Sequence, residues 1–146
     1  MKSGETKSGN RCENLECLTF DDNSFDLFIT QDVFEHLMNP EKAFAEIARV
    51  LKPGGAHIFT VPLYSDLKKT RRRAINQKGK IVNLRKEIYH GNPIDERGSL
   101  VTVDWGLDIC DLIKDYSGMA TTIFLLHDKY YGLEAEFLEV FISRKI

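Results

Sequence analysis

The fold is decided by residues 25–62, which read FDLFITQDVFEHLMNPEKAFAEIARVLKPGGAHIFTVP. The opening FDLFIT is an apolar run without clean alternation, which is typical of a strand covered on both faces in a parallel sheet. A second apolar run, AHIFTVP, follows the turn sequence KPGG. We therefore predict a strand, a crossover helix and a second parallel strand, with a ligand-binding edge where the strands end.

The predicted crossover helix begins at Asn39 and Pro40, with asparagine as N-cap and proline at the first helical position. Its apolar positions recur at helical spacing and form one stripe, made of Phe44, Ile47, Ala48 and Leu51. Residues 52–55 are expected to end the helix and turn the chain. The polar residues placed at the ligand-binding edge are Gln31, Asp32, Glu35 and His36.

The composition predicts one ordinary soluble domain, because 42% of the 146 residues are hydrophobic and 29% are charged. A net charge of −2 gives no general attraction to nucleic acid or anionic lipid. The three cysteines contain no CxxC pair, which argues against a disulfide framework or a zinc site. No apolar run is typical of a secretory signal or a membrane span, so the cytoplasm is the expected location.

The rest of the chain contains further elements and one long loop. Residues 1–11 are interpreted as a flexible lead-in, residues 108–116 as a short helix, and residues 120–127 and 136–145 as strands. The last of these strands is expected to pair antiparallel with its neighbour. Residues 89–106 are interpreted as a loop, in which His90 has a functional role or merely ties down its own loop.

The segment 64–90 is basic and contains the predicted hairpin RRRAINQKGKIVNLR. Three interpretations remain open. The segment could be a solvated insertion, or an anion-binding flap over a phosphorylated or carboxylated substrate. Nucleic-acid binding is the third and least favoured interpretation, because the basic residues lack interleaved aromatic stacking positions.

Taken together, residues 14–62 resemble the second half of class I S-adenosylmethionine-dependent methyltransferases of the small-molecule type. The specific marks are FD at residues 25–26, EH at residues 35–36 and RVLKPGG at residues 49–55. The resemblance implies an α/β fold with sheet order 3-2-1-4-5-7-6 and an antiparallel last strand. This chain would carry strands 4-5-7-6, a partial Rossmann-like methyltransferase sheet with an inserted basic hairpin.

The resemblance also implies the cofactor, S-adenosylmethionine, and its contacts. Asn14 and Leu15 would lie against the adenine, and Gln31 and Asp32 would flank the methionine part and the methyl acceptor. Asp32 and His36 are the catalytic candidates, since a histidine that titrates near neutral pH suits a general base. His36 could instead orient the following helix. No metal site is predicted, although Glu35 and His36 could help hold a divalent metal, as in some quinone methyltransferases.

The glycine-rich turn that follows the first strand in this family has no counterpart here. We therefore interpret residues 1–146 as a single, N-terminally truncated methyltransferase-like domain. The FDLFIT strand would then present an unpaired edge, which predicts a homo-oligomer such as a dimer, or a missing N-terminal half. The expected function is methyl transfer to a small molecule; the alternative is a non-catalytic module that dimerises through this edge.

Overall fold

The computed structural model describes residues 1–92 and 96–146. The strands are β1 Thr6–Lys7, β2 Asn10–Arg11, β3 Phe25–Gln31, β4 Leu51–Thr60, β5 Arg71–Arg72, β6 Ala74–Gln77, β7 Lys80–Asn83, β8 Tyr89–His90, β9 Ser99–Leu100, β10 Val103–Asp104, β11 Ala120–Leu125 and β12 Glu139–Arg144. The helices are α1 Pro40–Val50 and α2 Ile109–Ser117, and a single 3₁₀ turn spans Phe34–His36. Neither helix is long and apolar enough to cross a bilayer, a finding that covers the described residues.

A four-stranded sheet in the order β11-β12-β4-β3 forms the centre of the α/β fold. Strands β3 and β4 are parallel and joined by α1, so the predicted strand–helix–strand unit is confirmed. Strand β12 is antiparallel to both of its neighbours. Because Gln31 lies opposite Thr60 in the register, the two parallel strands end side by side and define one edge for a site.

Helix α1 starts as predicted with Pro40 at its first turn, but the Asn39 side chain does not cap it. The Asn39 Nδ2 donates instead to Glu16 Oε2 at 2.6 Å, which ties the helix start to the loop before β3. The predicted turn at residues 52–55 is also wrong in part. Strand β4 begins at Leu51, and Gly54, with φ +80°, bends the backbone inside this strand.

The hydrophobic core lies on the face of the sheet that both helices cover. The Phe34 ring stacks on Phe44 of α1 at 4.1 Å, and Phe59 of β4 stacks on Phe141 of β12 at 4.9 Å. All four rings are at most 1% exposed. Burial of aromatic side chains dominates the stability of a core of this size.

The opposite face of the sheet is not covered by either helix. Ile29, Ile58 and Ile142 lie next to one another across three strands on this face. Ile29 is 64% exposed, and its neighbour Leu27 is 48% exposed. The prediction that β3 is covered on both faces is therefore wrong for the described residues, where β3 also pairs with one strand only. Its apolar run nevertheless has the composition of a strand with two buried faces.

Two peripheral segments differ from their sequence interpretation. Residues 1–11 contain a small exposed hairpin of β1 and β2 rather than a structureless lead-in. Within the predicted loop 89–106, residues 101–105 are buried, and β10 pairs with β5. The basic segment contains the β6–β7 hairpin, whose turn residues Lys78 and Gly79 both have positive φ.

Candidate functional site

The site begins at the carboxyl ends of β3 and β4, where Gln31 and Asp32 are both exposed. The Thr60 hydroxyl donates to Asp32 Oδ1 at 2.9 Å, and the Asp32 amide donates to the Thr60 carbonyl at 3.2 Å. Asp32 has φ +50°, a left-handed conformation that is uncommon outside glycine and is best tolerated by asparagine and aspartate. Backbone strain of this kind clusters at functional sites.

The 3₁₀ turn after Asp32 holds Glu35 and His36 against a distant segment. The Thr102 amide donates to the Glu35 carbonyl at 2.7 Å, and the Thr102 hydroxyl donates to the Leu37 carbonyl at 2.6 Å. The His36 Nδ1 lies 2.9 Å from the Leu100 carbonyl oxygen. The buried part of residues 89–106 therefore fixes the turn, a role that sequence analysis missed because the pairing spans more than sixty residues.

Glu35 is the most unusual side chain of this region. It is 1% exposed, and neither of its carboxylate oxygens has a hydrogen-bond partner among the described residues. Its Oε1 lies 3.6 Å from His36 Nε2 and 3.6 Å from His90 Nδ1. Burial raises the pKa of Glu35, and burial together with neighbouring His36 lowers the pKa of His90.

The predicted adenine contacts lie in the loop before β3. The Asn14 side chain is exposed, and its Oδ1 accepts a hydrogen bond of 3.0 Å from the Glu16 amide. Leu15 lines an apolar pocket of about 320 Å³ that runs beside the edge of β3. The other lining residues are Glu13, Leu18, Phe20, Phe25, Leu27, Phe28 and Ile29. This pocket includes neither Asn14 nor the strand-end residues, so it does not join the predicted site residues.

Three arginines of the basic segment form ion pairs with carboxylates of the protein itself. Arg73 Nη1 donates to buried Asp104 at 2.9 Å, and Arg71 Nη2 lies 3.6 Å from the same carboxylate. Arg72 Nη2 donates to Glu41 of α1 at 2.8 Å. These arginines therefore compensate protein carboxylates, whereas an anion-binding flap would require them to face a ligand.

Comparison with known proteins shows which proteins the chain resembles. Residues 2–59 match the methyltransferase domain family. A sarcosine/dimethylglycine N-methyltransferase of Halorhodospira halochloris is 43% identical over 52 residues, which are 36% of this chain and 19% of the relative. A ubiquinone/menaquinone biosynthesis C-methyltransferase UbiE of Francisella tularensis subsp. novicida is 30% identical over 131 residues, covering 80% of this chain and 51% of the relative.

Solved structures show the same fold. The 1,6-didemethyltoxoflavin-N1-methyltransferase of Burkholderia thailandensis, with bound 1,6-didemethyltoxoflavin and S-adenosylhomocysteine, superposes with a TM-score of 0.56 at 14% identity, over 92% of this chain and 48% of that chain. A Haloferax volcanii putative methyltransferase, in complex with its Trm112 activator, gives a TM-score of 0.53 at 17% identity, over 90% and 59%.

The chain is similar to class I S-adenosylmethionine-dependent methyltransferases, in sequence over residues 2–59 and in fold over most of its length. S-adenosylmethionine is the cofactor of this class. The chain spans about half the length of the UbiE relative, which is 51% covered.

Two of the residues present have the chemistry to contact parts of this cofactor. The Asp32 carboxylate is exposed and held by Thr60, so it can accept hydrogen bonds from the ammonium of a methionine moiety. The Asn14 Oδ1 already accepts one hydrogen bond, but an amide oxygen has a second lone pair for an adenine amino group.

Proposed function

We propose that this chain takes part in methyl transfer from S-adenosylmethionine to a small-molecule acceptor. The proposal rests on the strand-end pair of Asp32 and Thr60. The Thr60 hydroxyl holds the carboxylate of Asp32, and the Asp32 backbone adopts a left-handed conformation. This pair stands in a sequence related to enzymes named for small acceptors such as sarcosine and dimethylglycine. In family terms, β3, β4, β12 and β11 correspond to strands 4, 5, 7 and 6.

Each site residue has a role in this proposal. Gln31 and Asp32 flank the methionine part of the cofactor and the acceptor, while Asn14 and Leu15 contact the adenine. The cofactor supplies an electrophilic methyl group, and the protein contributes alignment. His36 is the candidate general base for acceptors that must lose a proton.

The free edge of β3 supports a further part of the proposal. Residues 1–146 act as an N-terminally truncated methyltransferase-like domain, completed by a segment of the kind that precedes β3 in its relatives. That segment would add a strand to β3, cover Leu27 and Ile29, and supply the glycine-rich turn. It belongs to the same polypeptide or to a separate chain, and the proposed location is the cytoplasm, consistent with three unpaired thiols.

Titration calorimetry with S-adenosylhomocysteine tests the enzyme proposal. We expect saturable binding once the chain is combined with a complementary N-terminal segment, and weaker binding by the chain alone. The Asp32→Asn variant should bind at least about tenfold more weakly, because it loses a charge-assisted hydrogen bond. An absence of binding both alone and in combination would rule out the enzyme proposal.

A second candidate function is a non-catalytic module that dimerises through the edge of β3. The exposure of Ile29 and the apolar pocket beside this strand favour it. Here a second copy occupies the edge, and association does not depend on the cofactor. Sedimentation velocity separates the candidates, because a module should form a dimer that Asp32→Asn leaves unchanged, whereas a clean monomer would contradict it.

A further inference from the structure

Three potential metal-ligand atoms meet beside the strand ends. Glu35, His36 and His90 each offer one ligand atom, and these atoms all lie within 4.8 Å of one another. Glu35 and His36 come from the 3₁₀ turn, and His90 comes from β8, which pairs with β9. No local sequence signal joins His90 to the other two residues, because fifty-four positions separate it from His36.

The geometry of His36 aims a lone pair at the carboxylate. A carbonyl oxygen only accepts, so the Leu100 carbonyl at 2.9 Å places the proton of the neutral ring on Nδ1. The Nε2 lone pair then faces Glu35 Oε1 at 3.6 Å. A hydrogen bond from one ring nitrogen to a backbone carbonyl is the arrangement that orients histidines as metal ligands.

The buried carboxylate of Glu35 has no hydrogen-bond donor among the described residues. A buried ionised group without a hydrogen bond is costly, and both oxygens of Glu35 are in this position among the described residues. Two acceptor atoms at 3.6 Å also repel each other unless a proton or a metal cation lies between them. Ligand atoms bound at 2.0–2.1 Å in a tetrahedral site are separated by about 3.4 Å. The two 3.6 Å distances from Glu35 Oε1 are close to this value.

We propose that Glu35, His36 and His90 form a binding site for a first-row divalent metal ion, with Zn²⁺ as the natural probe. Two imidazoles and one carboxylate suit zinc and its first-row neighbours, whereas Mg²⁺ and Ca²⁺ prefer oxygen ligands. His36 and His90 are 18% and 37% exposed, which leaves a path for the ion from solvent. With three protein ligands, a fourth position remains for water or an acceptor oxygen.

The test uses the full chain, stripped with a chelator and titrated with ZnCl₂ by calorimetry without any cofactor. The background carries Cys12→Ser and Cys17→Ser, because these thiols are potential zinc ligands near one another in sequence. We expect one equivalent of Zn²⁺ to bind, and we expect His90→Ala and Glu35→Gln each to weaken binding at least about tenfold. MgCl₂ should give no comparable heat.

The matched control is His127→Ala, which removes an exposed histidine outside the cluster and should leave zinc affinity unchanged. Circular dichroism checks that each variant is folded. If Glu35→Gln does not fold, the comparison of wild type with His90→Ala decides the test. Absorption of the Co²⁺-substituted chain gives a second readout, since it distinguishes nitrogen and oxygen ligands from thiolate. No zinc uptake, or equal affinity in wild type and His90→Ala, would overturn the proposal. Neither result bears on cofactor binding, so that part of the proposed function is tested separately. When zinc is bound, His36 is a ligand and does not serve as the general base.

Discussion

The hydroxyl of Thr60 donates a 2.9 Å hydrogen bond to the carboxylate of Asp32, joining the ends of two adjacent parallel strands. This bond holds a residue whose φ of +50° is unfavourable for most side chains. The position of the predicted catalytic carboxylate therefore depends on a threonine that sequence analysis did not single out.

Two substitutions of Asp32 test how much its left-handed backbone conformation affects the free energy of unfolding. Asparagine tolerates the left-handed region and can still accept from Thr60, so Asp32→Asn should change the free energy of unfolding by less than about 0.5 kcal/mol. Asp32→Ala should cost about 1 kcal/mol more, because alanine is strained there and the hydrogen bond is lost. Urea titrations measure the difference. Equal stabilities would show that strain at this position is negligible.

The buried ion pair of Arg73 and Asp104 should dominate the stability of the segment that holds the 3₁₀ turn. Asp104 is 4% exposed, and Arg73→Ala leaves this carboxylate without its closest partner, so we expect a cost of about 3 kcal/mol. The matched variant Arg72→Ala removes a more exposed pair with Glu41 and should cost less than about 1 kcal/mol. Chemical denaturation compares the two, and similar costs would contradict this ranking.

Acid should destabilise the fold through His57. Burial among aromatic rings lowers the pKa of His57 to about 3, below the value near 6.5 in an unfolded chain. The unfolded state therefore binds a proton more readily, and this contribution to stability is full above pH 6.5. It decreases as the pH falls toward 3, by at most about 1.4 kcal/mol per pH unit.

Urea titrations between pH 7 and pH 4 measure this slope. His57→Gln should reduce it, since glutamine does not titrate and retains polar groups for the hydrogen bond with Thr30. Replacing the exposed His127 by glutamine serves as the control and should leave the slope in place. A slope unaffected by His57→Gln would assign acid sensitivity to other groups.

A charge on the free edge should block association. Ile29→Lys places an ammonium on the uncovered face of β3, where a partner strand or helix would have to bury it. We expect dimers or larger species of the wild-type chain to shift toward monomer in sedimentation velocity. Ile81→Lys is the control, because this residue is 57% exposed on the β6–β7 hairpin, away from the edge. An identical effect of both variants would indicate a general change in solubility.

Sequence alone determined the strand–helix–strand unit, because the apolar periodicity of residues 25–62 and the proline at position 40 are local signals. The same locality explains the correct end of α2, where Gly118 adopts a left-handed φ of +72°. Local signals were less reliable at residues 52–55, where two glycines suggested a turn and the structure has a bent strand. The β3–β4 register skips these residues, and backbone hydrogen bonds of Gly54 and Gly55 with Lys145, which follows β12, hold them in the sheet instead of a turn.

Only the tertiary structure decided which side chains share the site. The sequence placed Gln31, Asp32 and His36 after one strand, but the contact of Glu35 with His90 depends on the fold of a segment more than fifty residues away. Likewise, β3 has the composition of an interior strand, while its place at the edge depends on which strands are there to pair with it. Composition reports the environment that a strand requires, whereas its neighbours are set by long-range pairing that no local pattern encodes.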